Sequence, residues 1–208
     1  MVVSSDYTHS RSSEKIPHRI YQVPYKPGFI EDVIVKSVVE KSMIQGMMDL
    51  NDFVRVSCEC LLNSTELIED LRNFDLVVYE GVSLCAVLVA ELLGIRRVAI
   101  LSGLPPAGVR ALIMIPSPAS YVPESLTGFT DKMSFLQRVM NLGAYIMSGV
   151  IMESLFVKSM VAFKAKYNIT PERSYKEAYS KAELVIIAAD FALEFPHPLL
   201  PGMFLALI

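Results

Sequence analysis

Residues 74–103, FDLVVYEGVSLCAVLVAELLGIRRVAILSG, constrain the fold more than any other stretch. Residues 75–79 run apolar without alternation, as a strand buried on both faces of a parallel sheet does. Glu80-Gly81 breaks the run at the strand's carboxyl end. Cys85, Leu88, Val89, Leu92 and Leu93 then fall at helical spacing, and Gly94 suits the left-handed residue that ends a helix. Residues 98–101 form a returning strand. This is a βαβ unit, which closes right-handed and joins parallel strands. Ligands of such sheets sit beyond the strands' carboxyl ends. Glu80 stands at one such end, as a functional carboxylate or as a plain solvated acid.

The flanking chain fits around this unit. Residues 1–5 read as the tail of a strand, 6–18 as a loop, and 19–23 as a short half-exposed strand. Residues 29–62 are helical in character, with a break predicted at 49–52 and Asp52 as cap of a second helix. Ser64 or Thr65 suits the cap of a short helix through Leu67, Ile68 and Leu71. Residues 115–123 are rich in proline and serine and read as a loop. Asp131 is the predicted cap of a long helix with Phe135, Val139, Leu142, Ile146 and Val150 at helical spacing, a break near Gly149 and an end near Tyr167. Its run 139–152 is expected to be a core helix, with an interfacial role as the alternative. Pro171 suits a first helical turn. Residues 175–180 form a short helix and 184–188 another buried strand.

Composition narrows the functions. In 208 residues, 52% are apolar and 20% charged, which supports a large core and excludes disorder. The net charge of −3 comes with no basic cluster, which argues against a nucleic-acid partner. Three cysteines are too few for a disulfide framework or a zinc site. Cys58 and Cys60 sit two apart on a helix and do not face each other, so all three are expected as ordinary thiols. His9, His18 and His197 lack metal-ligand spacing, and His197 reads as a loop residue between prolines. Neither a dinucleotide nor a P-loop glycine motif is present.

Three segments resemble the UDP-glycosyltransferase family, the animal UDP-glucuronosyltransferases in particular. The first is Phe74-Asp-Leu-Val-Val-Tyr-Glu-Gly-Val-Ser-Leu-Cys85 with Ala90-Glu-Leu-Leu93. The second is Ser120-Tyr-Val-Pro123 followed by Met133-x-Phe135-x-x-Arg138-x-x-Asn141. The third is Ala188-Ala-Asp-Phe191 with Phe195-Pro-His-Pro198. The resemblance implies a Rossmann-like parallel sheet with helices on both faces, the N-terminal acceptor-binding half of a GT-B glycosyltransferase. Residues 1–203 fall in that partial domain, 204–208 read as a divergent end, and the UDP-sugar domain is not expected here, since its tryptophan-bearing signature needs a Trp and the chain has none.

The reaction so implied is an inverting hexosyl transfer from a UDP-sugar, the co-substrate, to a small lipophilic acceptor. A histidine deprotonates the acceptor, and a carboxylate orients the histidine. Glu80 falls where the family has that aspartate. The base histidine belongs to a strand and helix before Met1, and neither His9 nor His18 matches it. Leu104 and Pro105 are candidate acceptor-pocket liners, or parts of a plain structural turn. Asn63-Ser-Thr65 is an N-glycosylation sequon, and Asn168-Ile-Thr170 is a second one weakened by Pro171. No metal and no bound cofactor are expected. The family implies an endoplasmic-reticulum setting, and no anchor or leader is read in these residues. The chain alone is expected to be inactive. The alternative is a non-catalytic form that binds lipophiles or pairs with and regulates full-length members.

Overall fold

The computed structural model describes residues 2–4, 17–29, 42–125, 127–192 and 194–206. His9, most of the 6–18 loop and the start of the predicted 29–62 helix lie outside them. Two compact units form, Met1–Asn73 and Phe74–Ile208.

In the first unit β1 (Val2–Ser4) pairs in parallel with β2 (Arg19–Tyr21). Helix α1 (Met43–Asn63) starts at Ser42, whose hydroxyl accepts from the Gln45 amide at 3.3 Å. The break predicted at 49–52 does not occur. Asp is a poor helix former, but local pairs support it here. Gln45 Nε2 donates to Asp49 Oδ1 at 2.9 Å, and Arg55 lies 3.6 Å from Asp52. Helix α2 (Thr65–Leu71) follows Ser64 and buries Leu67 and Ile68. The rings of Tyr25 and Phe29 stack with centroids 4.3 Å apart, and Phe53 joins them at 5.2 Å from Tyr25.

The cysteine reading needs correction. Cys58 and Cys85 are disulfide-bonded, and only Cys60 is a free thiol. Helical spacing excluded a 58–60 pair but does not report the oxidation state of either cysteine.

The second unit runs β3 (Leu76–Glu80), α3 (Leu84–Leu93), β4 (Arg96–Leu101), α4 (Ala107–Ile113), α5 (Phe135–Ile151), a π-helical turn (Met152–Val157), α6 (Lys158–Lys166), α7 (Tyr175–Ser180), β5 (Leu184–Ile187) and β6 (Met203–Leu205). Its sheet has the order β3-β4-β5-β6, and every pairing is parallel. The fold class is the expected one, a parallel α/β sheet flanked by helices. Gly94 ends α3 at φ 69°, as its position predicted. Tyr79, Ala99, Leu101, Val185 and Ile187 are buried on one face of the sheet. On the other face Leu76 and Val78 stay exposed, although the unbroken apolar run implied burial on both. Residues 203–205, at the expected domain boundary, form the edge strand.

One helix start differs from expectation, and α7 occupies the expected 175–180 without Pro171 in its first turn. Ser134, not Asp131, caps α5: the Gln137 amide donates to Ser134 Oγ, and Gln137 Oε1 accepts from the Ser134 amide at 2.8 Å. This reciprocal box satisfies two otherwise unpaired donors, which a lone Asp cannot do. Pro171 sits in the preceding turn, and α7 starts at Tyr175 behind a Ser174–Glu177 box. The predicted break at Gly149 is absent; the helix widens into the π turn three residues later. The expectation of a core helix at 139–152 also fails. Phe135 is 83% exposed and Leu136 67%, with Val139, Ile146 and Val150 likewise exposed, and only Asn141 of α5 is buried.

Candidate functional site

The β3–α3 loop is fixed from two sides. Gly81 donates its amide to the Ile100 carbonyl at 2.7 Å, and Ser83 donates to the Glu80 carbonyl at 2.7 Å. A Cβ on Gly81 would stand 2.5 Å from Leu101 Cδ2, so any larger residue there would push the buried Leu101 side chain aside. From α7, the Tyr179 hydroxyl donates to the Gly81 carbonyl and the Tyr175 hydroxyl to the Leu84 carbonyl at 2.9 Å. Both tyrosines are almost wholly buried, and burial pushes their phenols up, so they remain protonated donors.

This frame holds Glu80 exposed at the carboxyl end of β3, paired in register with Ile100. Ser102, just past β4, donates its hydroxyl to Glu80 Oε1 at 2.9 Å. A carboxylate and a hydroxyl thus meet across two adjacent strand ends, where parallel sheets bind ligands. The next residue, Gly103, has φ 138° and lies against Glu194, whose Oε1 would be 3.4 Å from a Cβ there.

The loop beyond β4 and the 119–124 loop are bound by a buried polar cluster. Arg110 on α4 pairs with Glu124 at 2.7 Å, both side chains about 95% covered. Arg110 also donates to the Pro105 carbonyl at 2.9 Å. Glu124 Oε1 accepts the Ala107 amide at 3.0 Å at the start of α4. Asn141 closes the cluster: its amide nitrogen donates to the carbonyls of Ala119 and Val122 at 2.8 Å each, and its Oδ1 accepts the Glu124 amide at 2.6 Å. Asn141 thus ties the loop that holds Ser120-Tyr-Val-Pro123 to α5.

His197 is buried among these groups. Its Nδ1 donates to the Phe195 carbonyl at 2.6 Å, which leaves Nε2 as the acceptor nitrogen. Burial pushes the imidazole below its ordinary value, and the nearby charge of Arg110 adds to that. Deeper in the unit, Glu91 binds Arg97 at 2.8 Å, Arg173 at 2.8 Å and the Thr170 hydroxyl at 2.9 Å. Burial alone would raise the Glu91 carboxyl; the bonds from Arg97 and Thr170 and the charges of Arg97 and Arg173 outweigh it and hold it below its ordinary range.

Of the residues singled out from sequence, Glu80 sits at the sheet's ligand edge. Leu104 is half-buried just past Gly103, while Pro105 is buried with its carbonyl engaged by Arg110. Asn63 is exposed at the end of α1, and His18 is half-buried before β2. Neither Leu104, Pro105 nor Glu80 lines the cavity of about 340 Å³ between α4, the π turn and α7. Sequence reasoning missed Ser102 and Glu194. Ser102 had a signal: it follows β4 as Glu80 ends β3. Glu194 had none, because its approach to Gly103 depends on the path of the 188–202 loop.

The sequence pattern of the family described as UDP-glucoronosyl and UDP-glucosyl transferase matches residues 3–206. Among curated proteins, the chain is 33% identical over 206 residues to human 2-hydroxyacylsphingosine 1-beta-galactosyltransferase, covering 93% of this chain and 37% of that protein. It is 31% identical over 194 residues to rabbit (Oryctolagus cuniculus) UDP-glucuronosyltransferase 2C1, covering 92% and 38%. Identity to mouse UDP-glucuronosyltransferase 1-2 is 26% over 219 residues, covering 98% and 40%. The chain thus spans well under half the length of these relatives.

Proposed function

The chain belongs to the UDP-glucoronosyl and UDP-glucosyl transferase family, and from that premise we propose that its residues form the acceptor side of a UDP-sugar-dependent hexosyltransferase. The observation that carries this reading is Glu80, a carboxylate held by Ser102 at the ligand edge of the sheet, at 2.9 Å. A small lipophilic alcohol or phenol lies over the strand ends beside Ser102 and Leu104. A histidine takes the acceptor proton, and the Glu80 carboxylate fixes its tautomer and stabilises the imidazolium. The acceptor oxygen then attacks the anomeric carbon of the sugar as UDP leaves from the opposite face. Ser102 holds Oε1, and Oε2 serves the imidazole. The named relatives transfer galactose to an acylsphingosine or act as glucuronosyltransferases, which supports a hexose donor and a lipophilic acceptor.

A luminal setting in the endoplasmic reticulum belongs to the same reading. Two disulfide-bonded cysteines suit an oxidising compartment, and the exposed Asn63 sequon is usable there. In this reading the donor site and the base come from residues other than these.

The test incubates the chain with UDP-galactose, UDP-glucose or UDP-glucuronic acid and either a phenol or an acylsphingosine, with mass spectrometry for conjugate and native binding for acceptor. Saturable acceptor binding without conjugate is expected. Conjugate formed by these residues alone would contradict the division of labour, and absence of binding would contradict the acceptor site.

A further inference from the structure

Three departures from ordinary helix rules border one cavity. Met114 ends α4 at φ 65°, the left-handed conformation in which Gly94 ends α3 at φ 69°. Glycine or asparagine takes that conformation with less strain, so the helix end alone does not call for methionine. Gly149 lies inside α5, where glycine weakens a helix, yet a Cβ there would meet nothing within 4 Å among the described residues. Gly108 differs, since a Cβ on it would stand 2.7 Å from Met152 Cβ and packing accounts for it. The third departure is the π turn that begins at Met152, a geometry frequent at functional sites. Met114, Gly149, Met152 and Glu153 all line the cavity of about 340 Å³ between α4, the π turn and α7. Local rules broken together around one concave space mark a binding site.

We propose that this cavity binds a small aromatic amine in its cationic form. The volume lies at the small end of ligand pockets and suits a molecule of roughly ten to fifteen non-hydrogen atoms. The apolar wall is Leu112, Met114 and Met152, and methionine sulfur packs favourably against the edges of aromatic rings. Among the described residues the charged wall holds two carboxylates and one ammonium. Lys176 is paired with Glu153 at 2.7 Å, which leaves Glu177 as the unneutralised charge. Glu177 Oε2 accepts the Ser174 amide at 2.8 Å, which fixes the side chain at the start of α7 and leaves Oε1 for a ligand's ammonium. Of the cations near Glu177, Arg173 is engaged by Glu91, and Lys181 does not line the cavity. An anionic ligand of the same shape would meet that carboxylate as a like charge. None of Glu80, Ser102, Leu104 and Pro105 lines the cavity, so the site stands apart from the acceptor reading.

The chain contains no tryptophan, so indole fluorescence belongs to an added ligand alone. Tryptamine is titrated with the 208-residue chain and followed by fluorescence anisotropy, with indole-3-acetate as the anionic counterpart on the same ring. Saturable binding of tryptamine, one per chain, is expected, with indole-3-acetate weaker by about tenfold or more. Glu177→Gln keeps an oxygen for the Ser174 amide and removes the charge, and it should weaken tryptamine by a similar factor. Gly149→Leu grows into the open space beside it and should abolish tryptamine binding while circular dichroism is unchanged. Absence of saturable tryptamine binding, equal binding of indole-3-acetate, or tryptamine binding that both substitutions leave intact would overturn the inference.

Discussion

Glu80 has one methylene more than the aspartate that the resemblance places there, and Ser102 occupies one of its two oxygens. The carboxylate is thereby oriented rather than free to swing. Glu80→Gln keeps the shape and removes the charge that stabilises an imidazolium. In an enzyme assembled with its donor side, it should lower kcat by about 10²- to 10⁴-fold, the range of positioned acid–base groups, and leave acceptor affinity nearly unchanged. Asn141 is a structural counterpart. Asn141→Ala leaves two carbonyls and one amide of the 119–124 loop without their partner, and the expected loss is about 2–4 kcal/mol in urea unfolding. His197 adds a pH dependence. Its folded value lies below the unfolded one of about 6.5. The unfolded chain therefore binds the proton first, so this contribution is complete above about pH 6.5 and is lost as pH falls below it. His197→Asn, which removes the titration, should flatten that acid limb of Tm against pH.

At the scale of elements, the β3–α3–β4 unit is held together by groups that do not themselves touch a ligand. Glu91 of α3, about 96% covered, carries Arg97 of β4, Arg173 and Thr170. Glu91→Gln strips the buried Arg97 of its carboxylate and should cost about 3–5 kcal/mol, read as a lower midpoint in thermal or urea unfolding. The elements of this unit were legible in the sequence because apolar runs, Gly94 and the spacing of α3 all point the same way. Helix α1 was misread at 49–52 because side-chain pairs within the helix overrode the weak propensity of Asp. The cap of α5 was misread because Ser134 and Gln137 act jointly, and a single-residue reading favours the acid nearest the start. Most instructive is α5 itself. Helical spacing shows an apolar face but cannot say which way that face points. The answer came from Asn141, whose three bonds turn the polar side inward.

At the scale of the whole molecule, fold class and family were legible, and the position of the acid at a strand end was legible with them. Its partner Ser102 follows from the symmetry of adjacent strand ends. Glu194 and His197 lie on the 188–202 loop, whose path no local pattern encodes. The disulfide-bonded state of Cys58 and Cys85 was illegible for the same reason. The outward arc of α5 and the sheet residues Leu76 and Val78 are among the apolar surface that the second unit exposes. The central claim is that a lipophilic acceptor binds over the ends of β3 and β4. The most direct measurement is photocrosslinking of the chain with a diazirine-bearing lipophilic phenol, mapped by peptide mass spectrometry. Saturable labelling within residues 80–83 and 102–105, competed by unlabelled phenol, is the predicted result. Labelling confined to the cavity between α4 and α7, or labelling that does not saturate, would contradict it.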